Sequence, residues 1–177
     1  SAVSLILGDN IFYGNMRLSE IFNNFKTGSL IFGYSVPNPK DFGVVEFDDK
    51  GRVSDIVEKP ANPKSSYAIP GLYLYDSNVV ELVKSMKPSP RGELEITDLN
   101  KMYLSKGMMN FQILGRGISW IDAGSYDSLL EIGNFIQIIE RRQSFKIGCI
   151  EEVSLRMNFI SIDKFEKLIA NMPNCNY

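Results

Sequence analysis

Apolar runs of strand length alternate with amphipathic stretches of helix length through the first part of the chain. That alternation narrows the fold more than any other feature. SLILGDNIF (4–12) reads as a strand, RLSEIFNNFK (17–26) as a helix and GSLIFGYSV (28–36) as a second apolar strand. This order predicts an α/β fold with a mixed, mainly parallel sheet covered on both faces, the three-layer α/β/α arrangement. A hairpin follows in VVEFDDKGRVSDIVEKP (44–60), turning at Asp48-Asp49-Lys50-Gly51. YAIPGLYLYD is a strand interrupted at Pro70-Gly71, where proline marks an edge or bulge and glycine permits close approach to the backbone.

Helices are expected over 77–87 and 94–107, and short strands at NFQILG and ISWID. SYDSLLEIGNFIQIIERRQ (125–143) is the best helix, with Leu129, Ile132, Ile136 and Ile139 along one face and Ser125 as its cap. KIGCI reads as a short strand, and Asp163 with Glu166 as a capping-box start for a last helix. Without repeats, low-complexity tracts or a linker, residues 1–177 are expected to form a single domain, the final helices included.

The chain of 177 residues contains no histidine. That excludes Ser-His-Asp and Cys-His catalysis and histidine-ligated zinc or iron. A metal site must then be built mostly of oxygen, which suits Mg²⁺ or Mn²⁺. A net charge of -2 leaves no electrostatic footprint for nucleic acid. No apolar run is long enough to span a membrane and no signal-peptide pattern opens the chain. Cys149 and Cys175 fit no metal spacing and are expected to be free thiols of a cytoplasmic protein.

Two aspartates follow short apolar strands and are flanked by small residues: Asp9 after Gly8, and Asp122 before Ala123-Gly124. In open α/β sheets ligands sit outside the carboxyl ends of strands, so two such carboxylates can converge on one divalent ion. Each also has a plain alternative, since Gly-Asp-Asn is ordinary turn chemistry and Asp122 lies near a helix start. Glu58 and Lys59 combine an acceptor for sugar hydroxyls with a point charge for phosphate. As strand neighbours they face opposite ways, so they reach one ligand only if the strand ends or twists there; a solvated strand end is the competing reading. Arg91 precedes a helix rich in early acids and is a further anion contact or a surface residue. Gly43, Gly71, Tyr73 and Trp120 are ligand-side candidates, the two aromatics being equally ordinary core residues.

The segments LILGDNIFYG, FGVVEFD, VEKPANPKSSYAIPGLYLYD, PSPRGELEITDLN and GISWIDAGSYDSLLEIGNFI occur in this order. Together they resemble the glucose-1-phosphate thymidylyltransferases, from about residue 3 to residue 160. The resemblance implies a nucleotide-diphospho-sugar transferase fold, Rossmann-like. It also implies Mg²⁺-dependent transfer of a thymidylyl group from dTTP to glucose 1-phosphate, giving dTDP-glucose for dTDP-rhamnose synthesis. By the same resemblance Asp9 and Asp122 hold the metal, Glu58 the sugar hydroxyls and Lys59 the sugar phosphate. Gly43, Gly71, Tyr73, Arg91 and Trp120 line the sugar side, and the assembly is a homotetramer. Phe42 stands where many relatives carry tyrosine. The family's glycine-rich GG-G-TRL loop, which cradles the triphosphate and lies with the base-selecting residues, does not occur in these residues. The chain is therefore expected to be the C-terminal two-thirds of such a domain, inactive alone. A UTP-using sugar nucleotidyltransferase and a non-catalytic sugar-phosphate-binding module are the alternatives.

Overall fold

The structure is a computed structural model that describes residues 2–90 and 92–173. The chain divides into two compact units, residues 1–124 and 125–177.

The first unit is built on a seven-stranded mixed sheet. Its strands are β1 (Val3–Ile6), β3 (Ser29–Ser35), β4 (Gly43–Phe47), β5 (Val53–Glu58), β6 (Tyr67–Ala68), β7 (Leu72–Tyr75) and β8 (Met109–Ile113), in the order β1-β7-β3-β6-β4-β5, with β8 also paired to β3. A separate ribbon pairs β2 (Asn10–Tyr13) with β9 (Ser119–Asp122). Helices α1 (Leu18–Asn24), α2 (Val79–Ser85) and α3 (Ile96–Ser105) complete the unit.

The period-2 alternation of the central strands explains the layering. Ile31, Tyr73 and Tyr75 face one core with Val79, Leu82, Leu99 and Tyr103 of α2 and α3. Their neighbours Phe32, Leu72 and Leu74 face a second core with Met16, against which Ile21 and Phe25 pack around α1. Helices therefore lie on both faces, as the strand–helix alternation implies.

The mixed α/β class stands, but the expected predominance of parallel pairing does not. Among the described residues β3–β8 is the parallel ladder, and β1–β7, β3–β7, β3–β6, β4–β6, β4–β5 and β2–β9 are antiparallel. Parallel neighbours need a crossover of a dozen or more residues, usually helical. Strands β3 to β7 are joined by hairpins and short loops instead, which permit antiparallel return. The run 4–12 likewise forms two strands rather than one: the Asn10 N–H bonds back to the Leu7 carbonyl at 3.1 Å, and the chain turns at Gly8-Asp9.

A buried polar knot ties the sheet to α3. Asp76, 7% exposed, accepts hydrogen bonds from the Gly28 N–H (2.8 Å), the Tyr103 hydroxyl (3.0 Å), the Thr27 hydroxyl (3.1 Å) and the Asn78 side-chain amide (3.1 Å). Burial works against its charge, but these donors outweigh burial and hold its carboxyl below the usual aspartate range. A lowered folded pKa adds stability that is full above the unfolded value of about 3.9 and is lost as pH falls through the folded value. Asp76→Asn is expected to cost about 2 kcal/mol at pH 7. It should also flatten the acid limb of stability, measured by urea denaturation between pH 7 and pH 3.

The second unit is helical: α4 (Tyr126–Gln143), α5 (Ile150–Arg156) and α6 (Ile162–Ala170), with α5 packed on α6. Ser125 caps α4 as expected, accepting from the Ser128 N–H at 3.1 Å. KIGCI is not a strand. Gly148 adopts a left-handed φ of 68° there, and Glu140 ties down the Ile147 N–H at 3.0 Å. The cap of α6 is Ser161 rather than Asp163, with its hydroxyl accepting from the Lys164 N–H.

Candidate active site

The β2–β9 ribbon brings the two aspartates together. Asp9 sits in the turn before β2, Asp122 is the last residue of β9, and Asn10 lies directly opposite Asp122 in the antiparallel register. The Ala123 N–H donates to the Asp9 carbonyl at 2.7 Å, which closes the end of the ribbon. The side-chain nitrogen of Asn10 donates to Asp9 Oδ1 at 2.8 Å and to Asp122 Oδ2 at 3.4 Å. The two carboxylate oxygens are thus no further apart than those two bonds laid end to end. Asp122 Oδ1 also accepts from the Gly124 N–H at 2.9 Å, so its orientation is set by its own turn.

The donor set fits a hard divalent ion. Both candidate groups are carboxylates, and no group of three or more Asp, Glu, Cys or His side chains gathers to hold a metal among the described residues. Two protein carboxylates with the remaining positions left to water and phosphate is the usual Mg²⁺ arrangement, distinct from an all-protein cage. Ions of this class at such a site neutralise phosphate charge.

A second group of candidates lies where β4 and β5 end. Gly43 is opposite Glu58 in the register, and the buried Thr97 hydroxyl donates to Glu58 Oε2 at 2.5 Å. A Cβ on Gly43 would come within 3.2 Å of Glu58 Oε2 and 3.4 Å of Thr97 Oγ1, so a side chain there would displace this carboxylate. Strand β5 stops at Glu58, and Lys59 takes a left-handed φ of 43° with its N–H on the Phe42 carbonyl at 3.0 Å. That conformation is uncommon for a non-glycine residue, and the more so before proline. The strand end therefore breaks the alternation that would otherwise send Glu58 and Lys59 to opposite faces. Such strain concentrates at ligand sites.

Trp120 links the two groups. Its indole N–H donates to Asn10 Oδ1 at 2.6 Å, and its ring meets Phe42 edge-on at 5.1 Å and Tyr34 at 5.7 Å. Gly71 gives its N–H to the same Asn10 oxygen at 2.8 Å. What approaches Gly71 closely is this chain's own Leu7, whose side chain would lie 2.8 Å from an added Cβ. Tyr73 is buried in the core and stacked on Tyr75, as its ordinary aromatic reading has it. Burial, with the charges of Glu58 and Asp9 behind it, pushes its phenol well above the usual range. The tyrosine stays neutral and lies within the field of both acidic groups. Arg91 lies outside the described residues.

Residues 1–138 match the nucleotidyl transferase family. The chain belongs to that family. Members of the nucleotidyl transferase family generally use a divalent metal. The chain is 46% identical over 177 residues to a protein of Neisseria meningitidis named glucose-1-phosphate thymidylyltransferase, covering 99% of this chain and 62% of the relative. It is 47% identical to proteins of the same name from Mycolicibacterium smegmatis and Mycobacterium tuberculosis, with 99% of this chain and 61% and 62% of those relatives aligned. The chain thus spans about three-fifths of the length of these relatives. Among solved structures, a Bacillus anthracis protein described as a glucose-1-phosphate thymidylyltransferase in complex with sucrose superposes with a TM-score of 0.67. It shares 43% identity and covers 76% of this chain and 54% of its own. An apo UDP-glucose pyrophosphorylase shares the fold at TM-score 0.63 and 19% identity, covering 80% of this chain and 55% of its own.

In this nucleotidyl transferase chain the structure unites Asp9 and Asp122, and joins Gly71 and Trp120 to them through Asn10. It places Gly43 beside Glu58, with Lys59 next in the chain. Sequence reasoning missed Asn10 and Thr97. Asn10 looked like a turn residue, and nothing in its neighbourhood announces that β9 will lie across from it. Thr97 stood among the early polar residues of a helix, where a hydroxyl is unremarked without its acceptor.

Proposed function

We propose that the chain serves the Mg²⁺-dependent transfer of a thymidylyl group from dTTP to glucose 1-phosphate, yielding dTDP-glucose and pyrophosphate. The observation that carries this reading is the meeting of Asp9 and Asp122 through one buried amide, in a chain 46% identical to a protein named for this reaction. A phosphate oxygen of glucose 1-phosphate attacks the α-phosphorus. The bond from that phosphorus to the β-phosphate bridging oxygen breaks, and pyrophosphate leaves with the electron pair. The nucleophile is already an anion, so no proton need be removed, in keeping with a chain that has no histidine. Rate then comes from alignment and charge stabilisation.

Mg²⁺ held by Asp9 and Asp122 would neutralise the reacting phosphates. Glu58, oriented by Thr97, accepts hydrogen bonds from sugar hydroxyls, and Lys59 faces the sugar phosphate. Phe42, the chain neighbour of Gly43, is held edge-on against Trp120. Arg91 belongs to the sugar side by resemblance; Gly71 and Tyr73, assigned there by the same resemblance, pack against Leu7 and Tyr75 and would act from behind the sugar wall. The resemblance runs through both compact units, and so supports reading residues 1–177 as part of one sugar nucleotidyltransferase domain. By resemblance the product feeds dTDP-rhamnose, and the cysteines expected as free thiols support a cytoplasmic reading. No described helix is long and apolar enough to cross a membrane.

The product of the complete reading frame, assayed with dTTP and with UTP, tests the reading. Preferential dTDP-glucose formation is expected. A preference for UTP would reassign it as a uridylyltransferase, and turnover of neither would leave a binding module. For the sugar side, calorimetry with glucose 1-phosphate and Mg²⁺ is expected to show a Kd about 10- to 100-fold weaker for Lys59→Ala, the size of one charge-assisted phosphate contact. Equal affinity would remove Lys59 from the phosphate role. The homotetramer implied by the family draws support from apolar side chains exposed on the helical unit, Leu130 at 67%, Ile150 at 69% and Phe159 at 74%. Light scattering is expected to return a mass several times 20.0 kDa, and a monomer would count against it.

A further inference from the structure

All the hydrogen-bonding capacity of the Asn10 side chain is committed. An amide has two N–H donors and one oxygen with two lone pairs. The Gly71 N–H and the Trp120 indole N–H can only donate, so the oxygen must be the atom that faces them, at 2.8 and 2.6 Å. The nitrogen is thereby turned toward Asp9 and Asp122, which as carboxylates can only accept, at 2.8 and 3.4 Å. The orientation is fixed by chemistry from both ends. Asn10 is itself 7% exposed, and its backbone lies in the β2–β9 ribbon opposite Asp122, so neither main chain nor side chain is free to relax.

Two carboxylates drawn to one place repel each other, and in water they would part. Here one neutral amide, with one hydrogen toward each, offsets that repulsion and holds the spacing. We propose that Asn10 is a positioning residue that pre-organises Asp9 and Asp122 for a divalent ion and ties that ion's site to Trp120. This rests on the reading of the two aspartates as metal ligands. It goes beyond that reading in assigning the site's affinity to a residue that need not touch the metal. Outer-shell partners of metal-ligating side chains commonly change affinity by about 10- to 100-fold when removed. Here a single partner serves both ligands.

Trp120 is the only tryptophan of the chain, so its indole N–H signal and its fluorescence report on this network without further assignment. Mg²⁺ titration of the protein is expected to shift the indole N–H resonance saturably. Asp9→Asn is expected to abolish that response. Asn10→Ser is expected to weaken Mg²⁺ at least about 10-fold, and to uncouple what binding remains from the indole signal, with the circular dichroism spectrum retained. A folded Asn10→Ser protein binding Mg²⁺ within about twofold of wild type would overturn the proposal. If Asn10→Ser does not fold, the metal-free Asp9→Asn and Asp122→Asn proteins decide, because each turns one charge-assisted bond of the Asn10 amide into a weaker neutral one. Both are expected to move the indole resonance, and an unmoved resonance in both overturns the tie. Failure of the metal reading itself looks different: wild type would give no Mg²⁺ response, or a response indifferent to both aspartates.

Discussion

The 177-residue chain by itself is expected to form no dTDP-glucose from dTTP, glucose 1-phosphate and Mg²⁺ above the rate without protein. The proposed site would supply two carboxylates for an ion and a wall for a sugar phosphate, but a triphosphate demands more. Its charge is ordinarily received by backbone N–H groups of a glycine-rich turn and a helix start, and no stretch of that kind occurs in the sequence. Without it the α-phosphorus is not held in line with the attacking oxygen. The alignment contribution, worth several orders of magnitude in rate, is then lost. Turnover by this polypeptide in a coupled pyrophosphate assay would show that another part of the chain holds the nucleotide. Binding of glucose 1-phosphate is expected to survive, since Gly43, Glu58, Lys59 and Thr97 all belong to this chain and the Thr97 hydroxyl still orients Glu58.

In a polypeptide that also carries the glycine-rich segment, Asp9→Asn and Asp122→Asn are each expected to lower kcat by about 10³-fold. Either change takes a negative charge from the ion while keeping the shape of the side chain. The two act as one unit, so the double variant is expected to fall little below the poorer single variant. Steady-state kinetics across a Mg²⁺ range separates this from a folding defect. The single variants should regain part of the lost rate at high Mg²⁺, and a misfolded protein should not. A multiplicative loss of about 10⁶ in the double variant would mean that the carboxylates do not share an ion.

Much of the architecture was legible because side-chain alternation and turn chemistry are local. Ser125 as the cap of α4, the hairpin turning at Asp48-Asp49-Lys50-Gly51 and the break at Pro70-Gly71 all follow from neighbours in sequence. The sheet's pairing directions were misread because the opening strand–helix–strand order suggests crossovers, whereas β3 to β7 return through short loops. The two aspartates were legible as a type, each a carboxylate at a strand end flanked by small residues. Their meeting was not, because it depends on a β2–β9 ladder between segments more than a hundred residues apart. Asn10 illustrates the limit. Its importance lies in four partners drawn from three different strand ends, and no window of sequence contains them. KIGCI failed differently: its apolar residues suit a strand, but the left-handed Gly148 and the anchor from Glu140 turn it into the approach to α5.

The unusual torsion at Lys59 has a consequence for anyone grafting loops between relatives. Proline next door disfavours such a torsion, and the bond from the Lys59 N–H to the Phe42 carbonyl helps hold it. Residues 59 and 60 should therefore be exchanged together with the segment around Phe42, as one cassette. Moved alone, the lysine would carry its charge to a new host but leave its aim behind.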